Sequence, residues 1–436
     1  MKAAIVGAGI SGLATAQAIL AREPGAEVSL FEASGRVGGK VETELTPEGY
    51  LCEWGVNAFL DKSPRTLELC AEVGLSPVRG DESAKRRYVY SEGELHKLPD
   101  KPPEFLLSRL LSWRGRLRVL GEVFSGPGDG SDESLEMFGT RHLGREAYEK
   151  LIDPMASGVF AGDATQLSLK SCFPRMRELE AQHGSLIRAL IRLQKEARRA
   201  GSKSTPGPAP GGMLTSFAGG MSVLPDTLAQ TLADRVTCGA PLSGVERHAQ
   251  GYRLSLGADR QIYDCDAAVL ALQAADAVTP LQSLDAELAG VLEQFEYAPV
   301  AVVGLGFEQA ALQTRLDGFG FLVPGEERRR ILGSLWTSSI FAHRAPDGCV
   351  LLRTLIGGAR KPELALLPET QLVELARAEL SQILGISAQP VFVQVFQWPR
   401  AICDRQPAAL ARERTRLAQQ IEQVRFEQFL FYRQWK

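Results

Sequence analysis

The sequence predicts an α/β protein: a nucleotide-binding half on a parallel sheet, interrupted by a mainly helical stretch and by an inserted α+β domain on an antiparallel sheet. Three observations predict it. The chain opens on a βαβ pattern, with a mostly apolar run at 2–6, the glycine turn of "AAIVGAGISGLATA" and an alanine-rich stretch of helical character. Residues 97 to 200 carry largely helical spacing. Residues 297 to 357 hold the β-type runs "APVAVVGLGF", "GFGFLVP", "RILGSLWTSS" and "CVLLRTLIGG".

Gly7, Gly9 and Gly12 fit G-x-G-x-x-G. The first glycine permits the tight turn, and the second lets the backbone approach a pyrophosphate. The third lets the helix pack closely on the strand, with the helix N-terminus facing phosphate charge. Such turns also arise for steric reasons alone, so the rest of the unit decides. Val28 to Phe31 is a second apolar run ending in Glu32, twenty residues after Gly12, where a carboxylate can hydrogen-bond a ribose hydroxyl. The Rossmann-type dinucleotide unit is therefore complete. In "EASGRVGGK", Arg36 and the pair Gly38-Gly39 read either as a cap on a pyrophosphate or as a solvated basic turn. "EWGVNAFL" places Glu53, Gly55 and Asn57 where the chain can return beneath a flat ring.

Further along, "SPRTLELCAEVGL" reads as a helix starting at Ser63-Pro64 and stopping at Gly74. The helical stretch is broken by the turn "SGPGDGSDES" at 125–134, and "GSKSTPGPAPGG", 201–212, reads as a flexible loop. From 215 strands alternate with short helices, "YRLSL" and "DAAVLAL" being strands. "VVGLGFEQA" at 302–310 imitates a second glycine turn, but Gln309 stands at the third-glycine position, so it reads as a strand of small residues. The nucleotide-binding domain is thus expected at 1–80 and 215–285, the inserted domain at 81–96 and 286–390, the helical subdomain at 97–214, and a divergent C-terminal segment at 391–436.

A chain of 436 residues is long enough for two or three domains. A net charge of −3 shows no bias toward nucleic acid or acidic membranes. Seven cysteines without a C-x-x-C pair suit a reducing cytoplasm, and five dispersed histidines lack metal-ligand spacing, so no metal is expected. No leader pattern precedes the first strand, and no apolar run approaches the ~20 residues of a membrane span.

The succession of glycine turn, acidic strand end, "GRVGGK" and "EWGVNAFL" resembles the amine-oxidase-like flavoprotein superfamily, which implies FAD rather than NAD. The stretches "SAKRRYVYSEGELHKLP", "ASGVFAGDATQLSLKSCFP", "DGFGFLVP" and "LIGGAR" are similar, in order and position, to the protoporphyrinogen oxidase family. With the nucleotide fingerprint the resemblance spans roughly nine-tenths of the chain. It implies FAD-dependent oxidation of protoporphyrinogen IX to protoporphyrin IX in haem biosynthesis, with molecular oxygen as acceptor and hydrogen peroxide as product. A close relative of that activity acts on coproporphyrinogen III, which carries more carboxylates, so pocket polarity discriminates the two.

The cofactor contacts implied are Gly7, Ala8, Gly9, Ile10, Ser11, Gly12, Glu32, Ala33, Arg36, Gly39, Lys40, Gly55, Val56, Asn57, Ala58, Leu242 and Trp398. On the substrate side the resemblance implies Arg87 as propionate partner, since a guanidinium pairs bidentately with carboxylate. Phe319 and Leu322 would sandwich the pyrrole rings, with Leu355 opposite. Gly158 is the catalytic position, bringing backbone close to the macrocycle; a carbonyl near it or solvent would take the proton. As bare residues the same positions read as a solvated basic run, core side chains and a helix C-cap. No Ser-His-Asp or Cys-His arrangement is legible, and hydride transfer to a flavin requires none.

"PPEFLLSRLLSWRGRLRVLGEVF", 102–124, places apolar residues among Arg109, Arg114, Arg116 and Arg118. It reads either as an amphipathic helix packed on the core or as a membrane-interface helix; the resemblance implies peripheral contact at the inner face of the cell membrane. A homodimer is a further expectation. Family members close with a "GIPQY"-like turn and a glycine-rich segment opening a helix toward the flavin. Here the resemblance holds through "VFQWPRAI" and stops at Cys403, and no glycine follows Gly385. The tail has helical spacing at Leu410, Leu417, Ile421 and Val424. The adenine half of the site is therefore expected intact, with weakened flavin retention and turnover; a porphyrin-binding or weakly active homologue is the alternative reading.

Overall fold

The computed structural model describes residues 1–62, 64–99, 104, 108–199 and 212–405. Ser63, the loop expected at 201–212 (Gly212 apart) and the tail positions Leu410, Leu417, Ile421 and Val424 lie outside the described residues.

Four strands, Val236–Thr237, Glu27–Phe31, Lys2–Val6 and Ala267–Leu270, lie side by side in that order and are all parallel. Their side chains are largely covered on both faces, which is why the first strand, after Lys2, reads as a continuous apolar run rather than an alternation. The helix Ile10–Arg22 presses Leu13 and Ala16 onto the sheet beside Ile5 and Leu30. A three-stranded antiparallel meander, Leu242–His248, Gly251–Leu256 and Gln261–Cys265, covers the other side with Val245, Leu254 and Leu256.

The second half is a seven-stranded sheet, in the order Phe392–Arg405, Glu296–Glu308, Cys349–Gly357, Ile331–Trp336, Gly320–Leu322, Arg87–Ser91 and Glu94–Lys97. It is antiparallel as expected, except that Gly320–Leu322 runs parallel to Arg87–Ser91, which arrives from a distant part of the chain with no hairpin to fix its direction. Side chains alternate between its faces. Ala301, Val303, Leu305, Leu352, Ile356 and Phe321 meet the helix Glu369–Leu384 through Leu372, Ala376 and Leu380. Val300, Val302, Leu351 and Leu355 point the other way, toward Tyr50 and Trp54. Gly304 and Gly306 lie inside Glu296–Glu308, where Trp54 and Tyr50 pack on them, so this segment is a strand and not a second nucleotide turn.

Two domain boundaries move. The helix Ala286–Leu292 packs Ala289 and Leu292 against Ala4 and Val6, so the nucleotide half extends past 285. Residues 392–405 pair with Glu296–Glu308 as the sheet's edge strand, so the first part of the divergent C-terminal segment belongs to the inserted sheet. The physical cause is the run of β-branched and aromatic residues in "FVQVFQW", which suits a pleated, partly covered edge strand. The helical stretch docks on the large sheet through Arg360, which forks onto Asp153 and also reaches Asp163.

Candidate active site

At the nucleotide end the glycines are set by backbone contacts. Gly7 has φ +103°, and a Cβ there would lie 2.4 Å from the Ala271 carbonyl oxygen; at Gly12 it would lie 1.9 Å from that of Gly7. Gly9, by contrast, has only Gly39 Cα at 4.0 Å, which leaves the start of the helix Ile10–Arg22 open. No side chain caps that helix end and no acidic residue sits in its first turn, so the N–H groups around Ile10 and Ser11 are available to an anion. Glu32 closes the turn: its carboxylate accepts from Ala8 N–H at 2.7 Å and from Ser34 N–H at 2.9 Å. Ala33 is exposed beside it. The Glu32 carbonyl accepts from Ala240 N–H at 2.8 Å, which brings Leu242 to the same strand end, packed near Phe31.

The second glycine pair stacks on the first turn. Gly38 N–H donates to the Ala8 carbonyl at 2.8 Å, and a Cβ on Gly39 would lie 3.2 Å from Gly9 Cα. Arg36 folds back on its own loop, donating to the Gly39 carbonyl at 2.7 Å and pairing with Glu42. The carbonyl of Lys40 accepts from Val56 N–H and occupies the space a Cβ on Gly55 would need, at 1.8 Å. Lys40 Nζ donates to the carbonyls of Arg400 and Ala401 and lies 5.5 Å from the Tyr297 ring centre. Burial, reinforced by Arg400, pulls its pKa down to about 8.

The turn 54–58 joins the two halves. Trp398 Nε1 donates to the Trp54 carbonyl at 2.8 Å, with its ring 3.6 Å from the Cβ position of Gly55. Asn57 Oδ1 is buried with no partner, an acceptor left for a ligand. Ala58 shares a cluster with Phe319 and Leu355. Beneath the turn Glu53 is buried, 3.3 Å from Arg344, taking Thr43 Oγ1 at 2.6 Å and Met221 N–H at 2.9 Å. Burial pushes the Glu53 pKa up to about 7 against those contacts.

Where the sequence predicts the substrate residues, the strand alternation sets the geometry. Arg87 is paired in register with Gly320, and Leu322 with Gly333, which in turn lies opposite Leu355. The Arg87 guanidinium lies 5.8 Å from the Phe319 ring centre. Gly158 sits inside the helix Asp153–Phe160 and is not its cap; Ala161, at φ +49°, takes that role. A Cβ on Gly158 would meet Leu322 Cδ2 at 2.4 Å, so the glycine lets helix and sheet close on each other.

Sequence reasoning did not pick out Arg353. It is only 9 % exposed and donates to the carbonyls of Gly55 at 2.6 Å and Trp54 at 3.3 Å. A charged residue in the otherwise apolar "CVLLRTLIGG", on the same strand face as Leu355, is the signal that could have found it.

An uncapped helix end, two stacked glycine turns and a spare acceptor at the ring-bearing end fit a flavin dinucleotide, and the fold and site define a flavin-dependent oxidoreductase. The chain belongs to the flavin containing amine oxidoreductase family, whose pattern matches residues 10–419, and its cofactor is FAD. Among its relatives is the chloroplastic protoporphyrinogen oxidase of Oryza sativa subsp. japonica, 34 % identical over 424 residues, 91 % of this chain and 77 % of the relative. The coproporphyrinogen III oxidase of Bacillus subtilis is 28 % identical over 408 residues, 90 % of this chain and 85 % of the relative. The same fold is found in a crystal structure from Exiguobacterium sp. 255-15, with TM-score 0.79 and 24 % identity over 97 % of this chain and 92 % of that one. It recurs in cyclohexylamine oxidase of Brevibacterium oxydans, with TM-score 0.64 and 16 % identity over 91 % and 84 %.

Proposed function

We propose that this chain oxidises protoporphyrinogen to protoporphyrin with FAD as hydride acceptor and molecular oxygen as terminal acceptor, releasing hydrogen peroxide. The observation that carries the reading is the convergence of Arg87, Phe319, Leu322 and Leu355 beside the turn 55–58, from strands far apart in sequence. A porphyrinogen has apolar faces and carboxylate tails at one edge, which asks for apolar plates and a cation at one rim. Arg87, beside the Phe319 ring, is that cation. Bound FAD supplies the electron sink for a methylene-bridge hydride. This chain's residues supply the rest: Gly9 and Ile10 seat the pyrophosphate, Glu32 the ribose, and Gly158 and Leu322 close the apolar wall. A carbonyl near Gly158, or solvent, receives the released proton.

The test is oxidation of protoporphyrinogen and coproporphyrinogen side by side, followed by porphyrin fluorescence and peroxide release. Preference for the less carboxylated substrate supports the reading, and preference for coproporphyrinogen replaces it with the second activity.

We also propose peripheral contact with a membrane surface. No described helix is long and apolar enough to cross a membrane. However, Trp113, Leu117, Leu120 and Phe124 follow helical spacing and are 63, 58, 44 and 87 % exposed, so this apolar stripe is not packed on the core. Sedimentation with anionic lipid vesicles, lost on Trp113→Ser with Phe124→Ser, checks it.

A further inference from the structure

Arg353 is a buried cation that the proposed reaction leaves unused. It stands on Cys349–Gly357, two residues from Leu355 and on the same sheet face, so a single strand carries both a substrate-side plate and this guanidinium. Its two donated hydrogen bonds end on the carbonyls of Trp54 and Gly55. That turn is squeezed from one side by the Lys40 carbonyl of the nucleotide loop, and on the other its Ala58 packs on the same buried cluster as Phe319 and Leu355. Arg353 Nε–H remains buried without a partner, which is unusual for a cation retained only to satisfy its own hydrogen bonds. Leaving such a charge in the interior is costly unless the fold needs it there.

We propose that Arg353 is a positioning residue for the flavin reaction: from the substrate sheet it fixes the Trp54–Gly55 peptides, and thereby the spacing between the nucleotide loop and the substrate-side plates. The proposal rests on the flavin reading above. Both bonds leave one nitrogen, Nη2, whose two N–H groups lie in the fixed plane of the guanidinium, so the turn is held more rigidly than a rotating ammonium would hold it. The same charge acts on Glu53, the carboxylate directly before the held turn. Glu53 also faces Thr43, the backbone of Met221, Arg344 and the thiol of Cys52. Arg344 and Arg353 both favour its ionised form, in which it accepts the Met221 and Thr43 hydrogen bonds. Loss of Arg353 therefore removes the hold on the turn and makes Glu53 harder to ionise.

The experiment titrates the full-length apoprotein with FAD across the neutral pH range for wild type, Arg353→Met and Arg353→Lys, and measures kcat and KM with porphyrinogen. For Arg353→Met we expect FAD affinity to fall about tenfold or more, and the pH at which affinity is half lost to rise. With porphyrinogen, kcat should drop at least tenfold while KM changes less than about threefold, because Arg87 and its neighbours are untouched. Arg353→Lys keeps the charge, so its pH midpoint should match wild type while its affinity falls severalfold because a rotating ammonium holds the turn less rigidly. Wild-type affinity and pH midpoint in Arg353→Met overturn the proposal. If that variant does not fold, Arg353→Lys decides, and wild-type affinity and kcat there overturn it equally. The titrations use FAD alone, so they stand whether or not porphyrinogen proves to be the substrate.

Discussion

The nucleotide end and the substrate end of this site are built by different means. At the nucleotide end the backbone does the work: Gly7 and Gly12 leave no room for a Cβ, and Gly38 and Gly39 lie on the first turn through main-chain contacts. At the substrate end side chains do it, projected from one face of a sheet whose strands come from residues 87, 320–322 and 355. Damage at the first end should be nearly all-or-none, because backbone cannot move aside. At the second end it should be graded, because side chains can.

The largest effect is expected from Gly12→Val. A Cβ 1.9 Å from the Gly7 carbonyl oxygen must displace the helix or the turn, an overpacking cost of about 1–3 kcal/mol or more. The visible flavin spectrum of the purified variant should fall below about a tenth of the wild-type content. Retention of full flavin by a folded Gly12→Val would break the contrast at its stronger side.

Arg87→Ala comes next. Losing a charge-assisted pair with a propionate costs about 1.5–3 kcal/mol, at an exposed site toward the lower figure, so KM should rise roughly tenfold or more. Flavin content should stay unchanged. An unaltered KM would remove Arg87 from the substrate end.

Gly158→Ala should be milder still and opposite in sign for stability. Alanine is better than glycine inside a helix by about 1 kcal/mol, which offsets the push on Leu322 at 2.4 Å. Thermal stability should therefore hold or rise while KM increases a few-fold, as Leu322 is displaced toward the substrate. A wild-type KM would show that Leu322 gives way elsewhere.

Lys40→Met should show the smallest effect. Burial depresses the pKa of Lys40 to about 8, so the folded state binds fewer protons there than the unfolded chain. Its contribution to stability is present above the unfolded lysine value and is lost as pH falls through about 8. Thermal melts of wild type should thus gain on those of Lys40→Met between pH 8 and about 10. Parallel melting curves would contradict the assigned burial of Nζ.

The same contrast explains what the sequence made legible. Glycine spacing is a local steric signal, so the turn at 7–12 and Glu32 could be placed together, and the structure joins them through Ala8. The four β-runs from 297 to 357 were legible because their alternation is local as well. Register between distant strands is not local, so only family resemblance linked Arg87 with Phe319. Arg353 escaped because its role depends on carbonyls almost three hundred residues earlier in the chain. The two-residue strand Val236–Thr237 is too short to leave any period, and the edge strand Phe392–Arg405 carries Gln394 and Gln397 on opposite faces, so it leaves no clean period either.

The central claim is that a backbone-built FAD seat serves a side-chain-built porphyrinogen site in one chain. The most direct test adds protoporphyrinogen in air to purified wild type, to its apoprotein and to apoprotein reloaded with FAD, and follows porphyrin fluorescence. The account predicts emission growing well above the spontaneous rate for wild type and the reloaded protein, and at the spontaneous rate for apoprotein. Emission at the spontaneous rate from FAD-loaded protein, with the flavin absorbance unchanged when oxygen is excluded, would contradict it.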